Sequence, residues 1–331
     1  MSRVRFGVSY FGVRDPRHAA RDLEEIAAAG FASVTHTFSE HDLRYHVGDV
    51  ARLVEMTRLR GLEADLDPWG VAGLFGGEAY SELALRDTSC RQIDADGRSV
   101  PACCPNAPET GELLERWARA ATATGADALF WDEPHFYLGA LLDRPAPAPA
   151  CRCASCESAW SESGVGPLPP EGDPTLARFR GDSLRRLLAR AMAAAGGVRH
   201  SLCLLPRGEF RVAGTDEWEE FAALSGISRL ATDPYWMQRP VDPADYVRAH
   251  AAPLRALCDR TGQEMEIWIQ GIRIARGAEH HILRATEAAV EAGASRISFW
   301  SFRGTERMSW LTCEDPDAAW TAMRDAVRRF G

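Results

Sequence analysis

The chain has 331 residues, 46% hydrophobic and 26% charged, the composition of a globular protein with a sizeable core and within the size range of one barrel-type domain. A formal net charge of −9, with no cluster of basic residues interleaved with aromatics, excludes the usual electrostatic footprint of a nucleic-acid partner. No uninterrupted apolar stretch reaches membrane-spanning length, and MSRVRFGVSYFGV enters a strand-like pattern without the apolar run and cleavage site of a secretion signal, so a cytoplasmic protein with no membrane partner is expected.

Along the chain, short β-rich runs alternate with amphipathic segments rich in Ala, Leu and Arg, a pattern in which helices return the chain between parallel strands. A strand at Arg5 to Tyr10 leads to a helix at His18 to Ala29, and a strand at Ser33 to Phe38 leads to a helix at Asp49 to Arg60. A third strand, Glu63 to Asp67, precedes a long loop and the helix Thr110 to Thr124; a fourth, Ala128 to Trp131, precedes another long loop and the helix Pro174 to Ala195. Four pairs follow: Arg199 to Leu205 with Asp216 to Leu224, Ser228 to Ala231 with Pro243 to Thr261, Glu266 to Gln270 with Ala278 to Ala292, and Arg296 to Ser301 with Asp315 to Phe330. Seven helices run into a glycine before the next strand, Gly30, Gly61, Gly125, Gly197, Gly226, Gly262 and Gly293, where glycine supplies a left-handed helix stop. Eight βα units predict an α/β protein folded as a (β/α)8, or TIM, barrel, one domain over residues 1–331 with reacting groups after the C-terminal ends of the strands. An open doubly wound sheet is the alternative. The chain has neither Gly-x-Gly-x-x-Gly after the first strand nor a Gly-Lys-Ser/Thr phosphate loop, so its nucleotide-binding versions lose support and no organic cofactor is expected.

The long loops, 68–108 and 137–170, both fall on the predicted catalytic face. In the second, Cys151-x-Cys153-x-x-Cys156 places three thiolates in a tight turn, a spacing suited to tetrahedral zinc with a fourth soft ligand from elsewhere. Nine cysteines, an odd number with three inside six residues, favour metal over disulfides in a chain expected in the cytosol. The fourth ligand is Cys104 or its neighbour Cys103, in VPACCPN of the other loop; zinc there would clamp the two loops and keep no open position, a structural metal. Free cysteines in flexible loops are the plain alternative. Cys90, Cys203, Cys258 and Cys313 read as packing residues.

The strand ends collect polar and aromatic side chains: Tyr10, His36 with Glu40, Asp67 with Trp69, Asp132 with Glu133 and His135, Arg207 with Glu209, Asp233 with Tyr235 and Trp236, Gln270, and Trp300 with Arg303 and Glu306. Aromatic rings stack on the C–H faces of sugars while carboxylates and amides bind hydroxyls, so carbohydrate is the expected ligand. Tyr10, His36, Trp69, His135, Tyr235, Trp236, Gln270 and Trp300 form the candidate binding set. The run LFWDEPHF drives a hydrophobic strand into two adjacent acids. An isolated strand-end acid is more often a turn cap than a catalyst; Glu133 at the next position, followed by Pro and His, turns the reading toward a catalytic centre. Asp233, in ATDPYW, reads equally as a turn residue or a functional acid. His36 and His135 each fit a satisfied buried polar role, and Glu306 in RGTER a solvated or paired one.

The WDEP segment resembles the clan A glycoside hydrolases, whose general acid/base Glu stands at the end of strand 4, commonly after Asn; here Asp132 precedes Glu133. CRCASCESAW and CCPNAP resemble the metal cluster of the zinc-bearing family 42 β-galactosidases, in which CxCxxC follows the acid/base and an earlier cysteine completes the site. The resemblance implies a (β/α)8 glycosidase with Glu133 as acid/base and a structural Zn2+ on Cys104, Cys151, Cys153 and Cys156. Two departures qualify it. Clan A retaining enzymes place a nucleophile Glu at the end of strand 7, where EMEIWIQGIRI has Gln270, an amide that binds a hydroxyl but forms no glycosyl ester. The chain is also shorter than family 42 enzymes, so their substrate does not carry over.

Hydrolysis requires an acid for the leaving oxygen and either a nucleophile or a base acting on water. Glu133 fills the first role; Asp233 is the partner, as an inverting base or an unusual nucleophile. A likeness to the substrate-assisted hexosaminidases offers a second route, with Asp132 orienting a substrate acetamido group and Glu133 as acid. The expected function is cleavage of a small glycoside or oligosaccharide. A catalytically silent carbohydrate-binding barrel, motivated by Gln270, and an isomerase or lyase acting on a sugar-like natural product are the alternatives. Self-association into a homo-oligomer is compatible with the sequence.

Overall fold

In the computed structural model, which describes residues 3–139, 148–162, 166–237 and 239–331, eight parallel strands close into a barrel. They are β1 (Arg5–Tyr10), β2 (Ser33–Thr37), β3 (Glu63–Asp67), β6 (Ala128–Trp131), β7 (Arg199–Leu204), β8 (Ile227–Thr232), β9 (Glu264–Gln270) and β10 (Arg296–Trp300), with β1 paired to both β2 and β10. The helices between them are α1 (Pro16–Ala28), α3 (Val47–Arg58), α5 (Pro108–Ala123), α7 (Pro174–Ala195), α8 (Trp218–Ala222), α9 (Pro243–Thr261) and α10 (His280–Glu291), and α11 (Pro316–Phe330) closes the chain. Every predicted strand and helix is present, each end within two residues of its expected place. Among the described residues no helix is long and apolar enough to cross a membrane.

Local chemistry explains the boundaries. Helices α1, α7, α9 and α11 begin with Asp-Pro, where the Asp15, Asp173, Asp242 and Asp315 carboxylates accept first-turn N–H groups and the proline occupies N1. Six of the seven expected glycine stops adopt positive φ; after α7 the positive-φ residue is Gly196, with φ 71° and ψ −139°, one residue before the expected Gly197. Missing from the sequence-based reading are a hairpin of β4 (Arg91–Ile93) and β5 (Ser99–Cys103) and the short helices α2 (Glu40–Tyr45), α4 (Glu82–Arg86) and α6 (Ala154–Ser161). These elements are too short for periodicity to separate from loop. Residues 140–147 and 163–165 of the expected 137–170 loop lie outside the described residues.

Alternation along each strand sorts side chains between the helix layer and the lumen. Phe6, Val8, Val34, Leu66, Ile267 and Phe299 face outward into the main core. The lumen is polar and small at its N-terminal end: a methyl group on Gly7 would approach the Ser298 and Ser33 hydroxyls to 2.4 and 2.5 Å, so only glycine fits there. Arg229 and Arg296 fill this end, paired with Asp65, Glu63, Glu264 and Glu266. Toward the C-terminal ends the lining becomes aromatic, with Phe11, Phe130, Cys203, Ala231, Trp268, Ile272 and Trp300 in one cluster.

Candidate active site

Four acids surround the C-terminal mouth. Strand β6 ends at Trp131, and Glu133 takes a left-handed backbone with φ 43°, a conformation that costs a non-glycine residue ~1 kcal/mol or more and is concentrated at functional sites. Because the strand has ended, Asp132 and Glu133 no longer point to opposite faces. Both converge on Gly76 of the loop after β3, where a methyl group would meet Asp132 Oδ2 at 2.3 Å and Glu133 Oε2 at 3.2 Å. Asp233, just past β8, lies beside Glu133, and Asp67, the last residue of β3, lies within the field of both Asp132 and Glu133.

Asp67 is fully buried, with neither carboxylate oxygen hydrogen-bonded, and Asp233 Oδ1 is equally without a partner. Burial, then the charges of Asp132 and Glu133, push the Asp67 carboxyl well above the usual range; burial and Glu133 do the same to Asp132. For Asp233 the causes are burial, then neighbouring Glu133, then Asp132. Among the described residues no arginine offsets these acids, so protons do. Glu133 is the member of the four that keeps partial contact with solvent.

The candidate binding residues divide by strand parity. Trp300 and Tyr235 join the lumen cluster, as does Trp69, whose ring lies 5.3 Å from Phe11; Phe11 in turn stacks on Trp300 at 5.5 Å. His135 is buried beside the acids. Its Nδ1 donates to the Glu133 carbonyl, and burial lowers its pKa against the pull of Glu133, leaving a neutral ring. Tyr10 and His36 occupy outward positions instead. Tyr10 donates to Asp22 of α1 at 2.6 Å, and His36 Nε2 meets Thr57 of α3 at 2.8 Å, its pKa pushed down to about 3 by burial and then by Arg14. Trp236 packs into the main core. Gln270 reaches the mouth, but its amide is occupied by main chain: Oε1 accepts from Met237 N at 2.8 Å and Nε2 donates to the Ile272 carbonyl at 2.8 Å. Arg207 and Glu209 lie away from the acids, paired with Glu219 and with Arg239.

Several residues escaped the sequence reading. Asp67 was visible only as one strand-end acid among others; Phe11, Phe130 and Trp268 carry no motif. Gly77 admits Trp69, since a methyl there would overlap the indole at 1.6 Å. Glu78, in the loop after β3, has its carboxyl pKa raised by burial, against the lowering effect of Ser309 and Trp310 in the loop after β10.

The cysteines form a separate centre at the edge of this face. The Cys104, Cys151, Cys153 and Cys156 sulfurs are buried and lie within 4.8 Å of one another. Tetrahedral zinc with bonds of ~2.3 Å would hold its sulfurs ~3.8 Å apart, so the set has the size and donor chemistry to hold one metal ion. N–H groups of Asn106 point at Cys104 and Cys156, at 3.3 and 3.4 Å, and Cys153 N points at Cys151 at 3.4 Å, as suits thiolate ligands. Cys103 turns away and faces Cys90 at 3.4 Å. The two loops also meet through main chain, Arg152 N to the Ile93 carbonyl at 2.7 Å and Ala95 N to the Pro149 carbonyl at 2.9 Å.

No family model and no curated protein matches the chain. Among solved structures, a GH5_18 protein of Streptomyces cattleya in complex with Manβ1-4GlcNAc has a TM-score of 0.61 at 15% identity, over 98% of this chain and 80% of that one. A GH5_18 protein of Bifidobacterium longum subsp. longum, in complex with the same disaccharide, has 0.61 at 10% identity over 99% and 78%. The endo-β-1,4-mannanase of Thermotoga petrophila has 0.56 at 10% identity over 99% and 77%. Identities this low speak to fold and not to chemistry. The chain shares the eight-stranded parallel barrel of these GH5 clan A glycoside hydrolases.

Proposed function

We propose that the protein is a glycoside hydrolase-like enzyme, one barrel domain that cleaves a small glycoside or oligosaccharide at its C-terminal mouth, with Glu133 as general acid/base. The observation that carries this reading is the convergence of Glu133, Asp132 and Asp233 beside an aromatic cluster at the barrel mouth. Two acids brought side by side at one barrel mouth can supply an acid and a base together. Glu133, partly open to solvent, is suited to protonate the leaving oxygen; Asp233 serves as base or nucleophile. Both stereochemical courses use carboxyls ~5 Å or more apart, so an entering sugar ring splits the pair. Asp132 then orients a substrate hydroxyl or acetamido group, and Trp69, Tyr235 and Trp300 are the stacking walls. Barrels of the same fold that bind Manβ1-4GlcNAc support a carbohydrate as the substrate.

Glu133→Gln tests the proposal directly. Turnover of a cleavable aryl glycoside should fall ~10²–10⁴-fold with the circular dichroism spectrum unchanged, and undiminished turnover would remove Glu133 from the mechanism. One observation favours a second reading, a carbohydrate-binding barrel without catalysis: the end of β9 carries Gln270, its amide held by main chain. Saturable sugar binding by calorimetry, with no turnover across a broad glycoside panel, would decide for it.

We propose further that the four-cysteine cluster holds structural Zn2+, the feature that carries the likeness to the family 42 enzymes. Cys104, Cys151, Cys153 and Cys156 would be its ligands, and zinc would supply a closed tetrahedral clamp between the third and fourth strand-end loops. Metal analysis should return ~1 zinc per chain with four sulfur ligands, and chelation should lower the melting temperature; zinc-free protein of undiminished stability would sink the role. Nine buried cysteines outside any disulfide, four of them the proposed zinc ligands, fit a reducing compartment such as the cytoplasm.

A further inference from the structure

Glu40, the first residue of α2, is buried, 5% exposed. Both of its carboxylate oxygens are taken by main chain of the loop after β3: Oε1 accepts from Ala72 N and Oε2 from Leu83 N, each at 2.8 Å. One side chain thus ties together the two ends of the stretch 72–83. Among the described residues no basic group pairs with this carboxylate. Taking a carboxyl out of water without a counter-cation is costly, and two amides can be satisfied by water or a hydroxyl at lower cost. The arrangement points beyond cohesion of the loop to what the loop holds.

Inside the stretch, the Leu74 carbonyl accepts from His135 N at 2.9 Å and Gly76 N donates to the Asp132 carbonyl at 3.1 Å. Residues 74–76 therefore run alongside Asp132 to His135 and share main-chain bonds with both ends of that segment. Gly76 is the residue on which the Asp132 and Glu133 carboxyls converge, and Gly77 leaves room for the Trp69 indole. Ala72 takes a left-handed backbone, φ 58°, which a non-glycine residue holds only where its surroundings fix it. The other side of the link is rigid. Asp42, in the same turn as Glu40, closes a capping box with Ser39 and is gripped by Arg14 at 2.9 and 2.7 Å, and Phe38 N donates to the Asp67 carbonyl at 2.8 Å. Contacts run without a break from the end of β2, through Glu40 and the loop after β3, to the segment that carries Glu133.

We propose that Glu40 is a positioning residue for the acid/base: by fixing Ala72 and Leu83 it holds Gly76 against the 132–135 segment and so sets where the Asp132 and Glu133 carboxyls stand. The proposal rests on the reading of Glu133 as acid/base. Glu40 acts through the loop and not on the substrate.

The test is Glu40→Gln in the full chain. An amide accepts one of the two bonds and turns an N–H toward the other donor, so the shape is kept while one end of the stretch is released. On an aryl glycoside kcat should fall ~10–100-fold with KM within ~3-fold of the wild type, because the stacking walls remain and a reacting group is displaced. In an NMR titration the Asp132 carboxyl, held above the ordinary carboxylate range by burial and then by Glu133, should move back toward that range as water enters, and amide exchange at Gly76 and His135 should quicken. Should Glu40→Gln fail to fold, Leu83→Pro removes one donor in the first turn of α4, where proline is tolerated, and carries the same expectation. A lower melting temperature with kcat and the Asp132 titration both unchanged would overturn the proposal, since a loop staple alone behaves that way. If the wild type turns over no glycoside, the hydrolase reading fails by itself, and the Asp132 titration decides for or against Glu40: a midpoint that moves supports its positioning role, and one that stays overturns it.

Discussion

Acids are buried at both ends of the barrel lumen, but the two ends neutralise them differently. At the N-terminal end Arg229 lies 2.8 Å from Asp65 and 3.4 Å from Glu266, Arg296 lies 2.8 Å from Glu63, and Ser298 donates to Glu266 at 2.6 Å. Burial works against the charge of Arg229, yet Asp65 and Glu266 beside it hold its pKa above the ordinary value. At the C-terminal end Asp67, Asp132, Glu133 and Asp233 crowd together without an arginine among the described residues, and raised pKa values of Asp67, Asp132 and Asp233 take the place of counter-charges. One end uses buried charge for cohesion. The other keeps groups that can exchange protons, which stability alone would not favour.

The largest expected effect comes from breaking the paired end. Arg229→Met leaves Asp65 and Glu266 uncompensated and should destabilise the protein by ~3–5 kcal/mol in urea denaturation at neutral pH. A loss below ~1 kcal/mol would mean that the two ends are not distinct in the way described. Smaller, but sharper, is the same substitution made two residues apart on β3. Asp65→Asn removes one of the partners of Arg229 and should destabilise; Asp67→Asn removes an uncompensated acid and should stabilise by ~1 kcal/mol. Shifts of the same sign in both variants would erase the contrast.

The smallest effect is read from melting temperature against pH. Asp67, Asp132 and Asp233 have folded pKa values above their unfolded ones, so their contribution is intact below ~4, the unfolded carboxylate range, and is lost as pH rises through the raised values. Glu63 has the opposite sign. Burial raises it, but Arg5 and Arg296 hold it down to about 2, so its contribution is present above the unfolded range and is lost as pH falls toward that value. The wild type should therefore be most stable in mild acid, and Asp67→Asn should flatten the decline on the alkaline side. A curve that rises steadily from acid to neutral pH would show that the mouth acids carry no such penalty.

Six Asp-Pro dipeptides show how far the sequence could be read. Asp15, Asp173, Asp242 and Asp315 cap helices, whereas Asp67 and Asp233 end strands and join the mouth. Locally the six are alike, because Asp-Pro favours a turn in either setting. Position in the βα repeat separates a strand end from a helix start, but not an acid that meets three others from one that caps its own loop. Tyr10 and His36 show the same limit. Barrel strands are buried on both faces, so hydrophobicity does not reveal which alternate positions enter the lumen.

Periodicity and glycine punctuation determined the eight βα units from the sequence alone, because helix and strand repeats are local properties of covalent geometry. Cysteine spacing likewise marked the cluster, and WDEP marked Glu133, since both are set within a few residues. Closure of the sheet decided the rest. It chose the inward parity of every strand, brought Asp67 and Asp233 to Glu133 from positions far apart in the chain, turned Tyr10 outward to Asp22 of α1 and set Cys104 rather than Cys103 against the other three sulfurs. Those are distances through space between strands and loops, and no local pattern of residues encodes them.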